Sequence, residues 1–263
     1  MSFSTIRMTK AGRVATIALA RPEKLNALTA AMHAELRAAL DGAEADDEVR
    51  VVVLTGEGRA FSSGQDLTED LPLDRNGEVD LGGPLARDYN PLVRRLAQYP
   101  KVTLAALNGP AVGASMNIAL GCDVVVAARS AYLQEAFAQI GLIPDAGGTW
   151  LLPRLVGVKR ALALMLTADR VPADAAERLG LVYKVFDDAA FTDEVAALAA
   201  RLAEGPALAY RLMKRAVAEG FENSFDDQLA VEAELQQKAG VSADFAEGIR
   251  AFKEKRPPRF EGR

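Results

Sequence analysis

The most constraining feature of this sequence is a stretch of small and apolar residues that runs from 101 to 150. It begins with a strand-length apolar run at 102–107, which ends in the strong turn signal NGP at 108–110. A loop of small residues, 113–115, then leads into a pattern with helical spacing at 116–120. A strand, a tight loop and a helix start leave backbone N–H groups directed at one point, where the helix dipole adds positive potential. The stretch therefore predicts an α/β fold and a site that stabilises an oxyanion.

One acidic residue, Asp145, lies in the second half of this stretch, between a proline and a glycine-rich turn. On the surface such an acid only caps a loop. At the mouth of a pocket, burial beside an apolar group raises the pKa of an aspartate toward the range of a general base. Both interpretations are compatible with the pattern, and the neighbouring oxyanion site favours the second.

Composition limits the kind of protein this is. The chain has 263 residues, 50% of them hydrophobic, which is enough to bury a large core. Its net charge of −5 argues against a nucleic-acid partner. Cys122 is the only cysteine, so no disulfide forms within the chain, as is typical of a reducing compartment. Since the sequence has neither an apolar run of about 18 residues nor an apolar N-terminal signal segment, we expect a soluble cytoplasmic protein without a membrane partner.

Patterns along the chain predict strands and helices that alternate as far as residue 186. An opening hairpin joined at 10–13 is followed by a helix that Thr29 caps. Further strands are predicted at 49–54, 102–107, 124–128, 132–134 and 182–186, and further helices at 91–99, 116–120, 158–167 and 172–180. From residue 192 the pattern is helical only, with helices at 192–203, 206–219, 224–238 and 242–255. This change predicts a core at 1–190 and a helical region at 191–263.

Two further features of the first half bear on function. The segment 68–90 contains acids, prolines and glycines with little periodicity, which predicts a mobile lid. His33, the only histidine, lies off the apolar face of the helix after Thr29 and is interpreted as a solvated helix residue. The glycines and serines of 56–67 fit either a flexible turn or a backbone segment that a ligand approaches closely.

Five segments carry a resemblance to a known family. They are RPEKLNAL at 21–28, LTGEGRAFSSGQDL at 54–67, NGPAVGASMNIALGCDVVVAA at 108–128, GLIPDAGGTWLLPRLVG at 141–157 and AFKEKRPPRF at 251–260. In this order they resemble the crotonase (enoyl-CoA hydratase/isomerase) superfamily from end to end. The resemblance implies a ββα spiral whose C-terminal α-helical region drives oligomerisation, as a homotrimer or a dimer of trimers, and completes a coenzyme A site. It also implies an acyl-CoA substrate and no cofactor, since coenzyme A is part of the substrate.

The same resemblance implies which residues do the chemistry. The backbone N–H groups of Gln65 and Ala114 match the family's oxyanion hole, and Asp145 matches the working aspartate of its isomerases. The family's hydratases carry glutamates at the positions of Asn117 and Phe137, so hydration by that route is not expected here. Glu135 is two residues out of register with the second glutamate and is interpreted as a structural or surface residue.

Contacts to coenzyme A are implied in the same way. The residues expected to bind it are Lys24, Ala27, Ser63, Gly64, Asp66, Leu67, Gly113 and Lys255.

Two other kinds of catalytic site are less well supported by the sequence. The sequence around Ser115 lacks the second glycine of a serine-hydrolase elbow, and only His33 could act as its base. The absence of clustered histidines and cysteines argues against a catalytic zinc.

The sequence therefore predicts an acyl-CoA isomerase. Within the family, parts of the chain resemble most the isomerases of phenylacetate degradation, which convert 2-(1,2-epoxy-1,2-dihydrophenyl)acetyl-CoA to oxepin-CoA. The enzyme alternatives are a Δ3,Δ2-enoyl-CoA isomerase of fatty-acid oxidation and a dehalogenase-like acyl-CoA hydrolase with Asp145 as nucleophile. The alternative from another class is a CoA-thioester- or RNA-binding relative without turnover, against which the net charge and the retained Asp145 both argue.

Overall fold

The computed structural model describes residues 3–69 and 72–262 of the chain. Nine strands lie within these residues: β1 Ile6–Ala11, β2 Val14–Leu19, β3 Val51–Gly56, β4 Val102–Leu107, β5 Ala111–Val112, β6 Val124–Ala128, β7 Tyr132–Gln134, β8 Val171–Pro172 and β9 Lys184–Phe186. The predicted opening hairpin is confirmed, because β1 and β2 pair antiparallel from Ile6 opposite Leu19 to Ala11 opposite Val14.

Helices occupy most of the remaining described chain. The α-helices are α1 Ala30–Ala45, α2 Gly82–Pro84, α3 Asn90–Ala97, α4 Ala114–Leu120, α5 Gly148–Val156, α6 Val158–Thr167, α7 Ala173–Leu179, α8 Phe191–Ala203, α9 Ala207–Gly220, α10 Phe225–Gly240 and α11 Ala243–Glu254. Two 3-10 helices span Pro22–Lys24 and Ala136–Ile140, and a π-helix spans Leu85–Tyr89. Thr29 caps α1 as predicted, since its hydroxyl accepts a hydrogen bond of 3.2 Å from the N–H of Met32.

The main sheet has six strands in the order β1-β2-β3-β4-β6-β9. From β2 onward all neighbours are parallel, so the loops that follow β3 and β4 leave the same edge of the sheet. Both faces are covered, and for this reason the strands are rich in fully buried residues such as Ile17, Val51 and Leu104. The predicted α/β class is therefore confirmed.

A smaller sheet crosses over the end of the first one. It pairs β5 with β7 in parallel and β7 with β8 antiparallel. Single bridges extend it toward the N-terminal half, from Ala111 to Ser62 and from Gln65 to Leu28. Each turn of the chain thus places one strand in the main sheet and one extended segment in the smaller layer before a helix, which is the expected ββα spiral.

Two stretches differ from the sequence-based prediction. Residues 82–89 are helical and continue directly into α3, although 68–90 was predicted to lack regular structure, and residues 70 and 71 of that segment lie outside the described residues. Packing of the π-helix Leu85–Tyr89 and of α3 against α1 overrides the weak local preference of this segment. Helix α5 was missed because Pro153, an interior proline, breaks the usual helical pattern.

The helices after β9 differ in how they pack. Helix α8 packs on the main sheet through buried residues that include Val195, Leu198 and Ala199, and so forms one of its covering layers. Helices α9 to α11 leave large apolar side chains exposed, among them Phe252 at 82% and Met213 at 59%. The division into regions 1–190 and 191–263 stays a prediction.

His33 was interpreted as a solvated residue, and this interpretation is wrong. The imidazole is 1% exposed, because the π-helix covers a second face of α1 and the Tyr89 ring lies 4.0 Å from it, centroid to centroid. Neither ring nitrogen has a hydrogen-bond partner among the described residues. Burial lowers the pKa of His33 to about 4, with the charge of Asp88 opposing the shift and that of Arg37 adding to it.

The lowered pKa of His33 makes folding stability depend on pH. In the unfolded chain His33 binds a proton near pH 6.5, whereas in the folded protein it does so only near pH 4. Its contribution to the free energy of unfolding is therefore complete above pH 6.5 and is lost as the pH falls toward 4. The free energy of unfolding, measured with urea, should fall between pH 7 and pH 4.5 by about 2–3 kcal/mol more in the wild type than in His33→Leu. Stability curves that run parallel over this interval would contradict the assignment.

Candidate active site

The loop between β3 and Leu67 is fixed by side-chain amides on both sides. The fully buried amide of Asn26 donates to the carbonyls of Glu57 and Ala60, at 2.8 Å each. Asn108, at the end of β4, accepts from the N–H of Gly56 at 3.0 Å and donates to the carbonyl of Gly58 at 3.0 Å. The loop is therefore bound to the turn before α1 and to the turn after β4.

This arrangement brings the two predicted oxyanion residues together. The N–H of Val112 donates to the carbonyl of Ser62 at 3.1 Å, so the segment before Gln65 runs beside the segment before Ala114. A Cβ placed on Gly64 would come within 2.8 Å of the Val112 carbonyl oxygen and 3.9 Å of the Ala114 nitrogen. Only glycine permits this approach, and Gly64 also has a φ of +86°.

The backbone N–H groups at this point are available to a ligand. Ala114 is the first residue of α4, where an N–H has no acceptor within the helix. Gly113 before it has a φ of 58° and a ψ of −132°, which directs the chain sharply into the helix. Across residues 3–69 and 72–262, the N–H of Gln65 also has no hydrogen-bond acceptor. Two preorganised donors next to a helix start are suited to stabilise a developing oxyanion.

Ser115 serves the backbone of this turn rather than acting as a nucleophile. Its hydroxyl lies 2.8 Å from the Val112 carbonyl and 3.0 Å from the Ser62 carbonyl, and it accepts from the Val112 N–H at 3.1 Å. His33, the only possible base, packs against Tyr89 instead. The geometry gives no support to the serine-hydrolase alternative.

Asp145 is held by its backbone while its carboxyl group is left free. Its carbonyl accepts hydrogen bonds from the Asn117 amide at 2.9 Å and from the Gly148 N–H at 2.8 Å. The residue is half-buried, and its Oδ1 is enclosed without a hydrogen-bond partner in the described part of the chain. Burial raises the pKa of Asp145 to about 6, although a hydrogen bond from its own backbone N–H lowers it in part. A free carboxylate with such a pKa fits a general base.

A second carboxyl group, Glu135, lies close to Asp145 and Asn117. It is 1% exposed, so the interpretation as a surface residue is wrong; the strand β7 and the following 3-10 helix enclose it. Burial raises the pKa of Glu135 to about 8; the Asn117 amide lowers it, and the charge of Asp145 raises it further. The acid is therefore protonated at neutral pH. Its position directly after the short strand β7 can be read from the sequence, but its burial cannot.

Asn117 and Phe137 both lie at the site. The Asn117 side chain is fully buried and fills the space that a Cβ on Gly148 would occupy. The ring of Phe137 stands over the oxyanion turn, with two of its atoms 3.8 Å from where a Cβ on Gly113 would be. The site thus has an amide and an aromatic ring where an acid or base would be needed for the two-glutamate route.

Most residues predicted to bind coenzyme A lie along the same loops. Lys24 is exposed at the end of its 3-10 helix, and Leu67 is 64% exposed. The N–H groups of Ser63 and Asp66 already donate to the carbonyls of Leu25 and Leu28, at 3.0 and 2.9 Å. The N–H groups of Ser63 and Asp66 are therefore not available to a ligand.

The carboxylate of Asp66, within this group, is engaged by the protein itself. Arg21 donates to the carboxylate of Asp66 at 2.8 Å and to the carbonyl of buried Ala27 at 2.7 Å. Hydrogen bonds from the Thr68 hydroxyl and from Arg21 lower the pKa of Asp66 to about 2. Asp66 therefore holds the loop as a permanently ionised anchor.

Lys255 is the one predicted contact that the described residues do not join to the others. It ends α11 in a left-handed conformation, and no hydrogen bond or ion pair within 3–69 and 72–262 links it to Lys24 or the 63–67 segment. The tail after it contacts Arg50, which precedes β3 and so lies at the opposite end of that strand from the oxyanion loop. Arg256 is engaged in ion pairs with Glu247 and Glu254.

The described residues contain neither a metal-binding cluster nor a membrane-spanning helix. The described residues hold no group of three or more His, Cys, Asp or Glu side chains placed to bind a metal ion. In the same residues, no helix combines the length and the apolar character needed to cross a membrane.

Comparison with known proteins identifies close relatives over the full chain. A Rhodobacter capsulatus protein described as a probable enoyl-CoA hydratase is 48% identical over 263 residues, which is 100% of both chains. The 1,2-epoxyphenylacetyl-CoA isomerase of Escherichia coli K12 is 46% identical over 251 residues, 95% of each chain. The 4-chlorobenzoyl coenzyme A dehalogenase-2 of an Arthrobacter species is 37% identical over 243 residues, 92% of this chain and 88% of that protein.

Solved structures agree with these relatives. Enoyl-CoA hydratase from Bacillus anthracis superposes with a TM-score of 0.92 and 32% identity over 99% of this chain and 100% of that chain. Residues 9–263 match the family model described as enoyl-CoA hydratase/isomerase. The fold and these matches together identify the chain as a member of the enoyl-CoA hydratase/isomerase family, the crotonases.

Proposed function

We propose that this crotonase is an acyl-CoA isomerase in which Asp145 is the only base. The observation that carries the proposal is the partially buried Asp145 carboxyl group, whose Oδ1 has no hydrogen-bond partner in the described part of the chain and whose pKa of about 6 leaves it ionised but basic at neutral pH. It is joined through Asn117 to helix α4, the helix that supplies one oxyanion donor. A base and an oxyanion site on one rigid unit suit proton transfer next to a thioester carbonyl.

The proposed steps follow from these positions. The Asp145 carboxylate takes a proton from the carbon next to the thioester, and the electrons of that C–H bond form the enolate. The N–H groups of Gln65 and Ala114 stabilise the charge that develops on the thioester oxygen. Protonated Asp145 then returns its proton to a carbon further along the acyl chain, which moves the double bond and restores the carboxylate.

Hydration by the two-glutamate route is disfavoured by the side chains present. Water addition needs a base for the water and an acid for the carbon next to the thioester. Asn117 and Phe137 supply neither, and Glu135 is protonated and enclosed. The relative described as a probable hydratase is nevertheless as similar as the isomerase, so hydratase activity is the alternative to be tested.

For the substrate we favour 1,2-epoxyphenylacetyl-CoA, the compound named for the relative that is 46% identical. A hydrocarbon 3-enoyl-CoA is the second candidate, since the double-bond shift described above needs only one base. The relative described as a 4-chlorobenzoyl-CoA dehalogenase leaves a hydrolase with Asp145 as nucleophile as a third possibility. Polarisation of the thioester by Gln65 and Ala114 is common to all three.

For coenzyme A itself we propose that Lys24, exposed beside the loop 63–67, and Lys255 face its phosphates. Because no contact within the described residues joins Lys255 to that loop, we assign its contact to the site of a neighbouring subunit in a homotrimer or dimer of trimers. The exposed apolar residues of α9 to α11 support such an assembly, as does the groove lined by Leu212, Met213 and Leu229.

Replacing Asp145 by asparagine tests the proposed base. Asp145→Asn keeps the size of the side chain but removes its basicity, so isomerisation of a 3-enoyl-CoA should fall about 10²- to 10⁴-fold. The wild type should hydrate crotonyl-CoA very slowly. Steady-state rates with both thioesters measure this, and efficient hydration by the wild type, or near-normal isomerisation by the variant, would disprove the mechanism.

Glu135→Gln is the matched control, because it also replaces a buried carboxyl group by an amide. Since Glu135 is protonated at pH 7, the exchange should change the isomerisation rate by no more than about twofold.

The rate of the wild type should drop about tenfold per pH unit below pH 6, where Asp145 becomes protonated. A profile that is flat down to pH 5 would show that another group is the base.

Lys255→Ala tests the contact with coenzyme A. If Lys255 binds the phosphates equally in the ground and transition states, KM should rise about fivefold, equivalent to about 1 kcal/mol, while kcat stays nearly constant. Lys253→Ala, two residues earlier and equally exposed, is the control and should leave KM unchanged. A large loss of kcat at constant KM would refute the assignment.

The oligomeric state tests the role of the C-terminal helices. Light scattering of the wild type at micromolar concentration should give the mass of a trimer or of a dimer of trimers, because burying the exposed faces of α9 to α11 removes large apolar side chains such as Phe252 from water. A monomeric mass would contradict both the assembly and the position proposed for Lys255.

A further inference from the structure

Tyr89 is a buried polar residue next to the site that the proposed mechanism does not use. It is the last residue of the π-helix Leu85–Tyr89, and π-helical turns are rare and are frequent at functional sites. The residue is 5% exposed, and its ring packs against the buried imidazole of His33 with 4.0 Å between centroids. The ring is thus fixed by the core, and only its hydroxyl group is directed toward the site.

The hydroxyl of Tyr89 reaches from the oxyanion loop toward the proposed base. It donates a short hydrogen bond to the side-chain oxygen Oε1 of Gln65. The charge of Asp145 acts on the phenol and, after burial, is the largest cause of its raised pKa. The backbone agrees: a Cβ on Gly147 would lie 3.3 Å from Val93, which is one helical turn after Tyr89. The Tyr89 hydroxyl therefore lies beside Gln65 and within reach of the charge of Asp145, next to the position proposed for the acyl group.

The environment of Tyr89 determines what its hydroxyl does. Burial and the charges of Asp145, Asp88 and Glu69 all raise the pKa of the phenol, so it keeps its proton and acts as a hydrogen-bond donor. The present acceptor, the amide of Gln65, is weakly held. The Gln65 side chain is exposed, and its nitrogen reaches only the Asp66 carbonyl, at 3.5 Å. Another oxygen atom entering the site can replace it.

We propose that Tyr89 determines specificity by donating a hydrogen bond to an oxygen atom of the acyl group, so that the site selects thioesters with an ether or epoxide oxygen near the third acyl carbon. The Oε1 atom of Gln65 marks the position of that oxygen. This inference rests on the proposed function, since it places the acyl group between the oxyanion donors and Asp145. The phenol O–H bond stays intact, and no proton is transferred.

A hydrocarbon acyl group offers no acceptor at this position. It leaves the hydrogen bond between Tyr89 and Gln65 in place, so loss of the phenol hydroxyl has little effect on its binding. An oxygen-bearing acyl group loses water from its oxygen on entering the site and needs a donor in return. The two classes of thioester should therefore respond differently to removal of one hydroxyl group.

Binding of two saturated thioesters tests this difference without turnover. 3-Ethoxypropanoyl-CoA and hexanoyl-CoA differ only in an oxygen or a CH₂ group at position 4 of the acyl chain. By isothermal titration, Tyr89→Phe should weaken binding of the ether about tenfold and that of hexanoyl-CoA by less than about twofold. The variant keeps the aromatic ring on His33, and its thermal unfolding confirms that it is folded.

Tyr99→Phe is the matched control. Tyr99 is also fully buried, but its hydroxyl donates to the carbonyl of Leu40 at 2.7 Å. Its removal should leave the ratio of the two affinities unchanged. Equal weakening of both thioesters by Tyr89→Phe, or none, overturns the inference. If isomerase activity is intact, only the inference fails; if the wild type binds neither thioester, the proposed function fails with it.

Discussion

The hydrogen bonds that hold the loop after β3 are the interaction on which the rest of the site depends. Asn26 and Asn108 bind its carbonyl and N–H groups from two sides, and Ser62 pairs with the segment before α4. Leaving a buried amide such as Asn26 unpaired costs about 1–3 kcal/mol, so the loop has one favoured position. The N–H groups of Gln65 and Ala114 are thus set before a substrate arrives, and such groups need no reorganisation as charge develops.

The second determinant is the different environment of two neighbouring carboxyl groups. Glu135 is fully enclosed and stays protonated, whereas Asp145 is half-buried and ionises near pH 6. Environments that separate the pKa values of adjacent acids often assign their roles. The division leaves Asp145, the proposed base, beside the ring of Phe137, and the proposed proton transfer between carbons follows from this arrangement.

The helical segment 82–97 connects this site to the core. Tyr89 rests on His33 of α1, and Val93 approaches the turn after Asp145. The first part of this segment, up to residue 90, is predicted to be irregular from its sequence, yet it places Tyr89 beside the candidate site. Its glycines and proline give no strong local preference, so its conformation depends on the packing of the π-helix and α3 against α1, which ends at Ala45.

The sequence by itself determined what depends on neighbouring residues: the caps, the strand runs, the glycine turns, the α/β class, and the family positions of Gln65, Ala114 and Asp145. Tertiary structure alone decided the burial of His33 and Glu135, the hydrogen bond from Tyr89 to Gln65, and the separation of Lys255 from the oxyanion loop. The physical reason is the distance along the chain over which each effect acts. Backbone preferences act over a few residues, whereas burial, and with it the pKa of a side chain, is set by groups that are distant in the chain and meet only on folding.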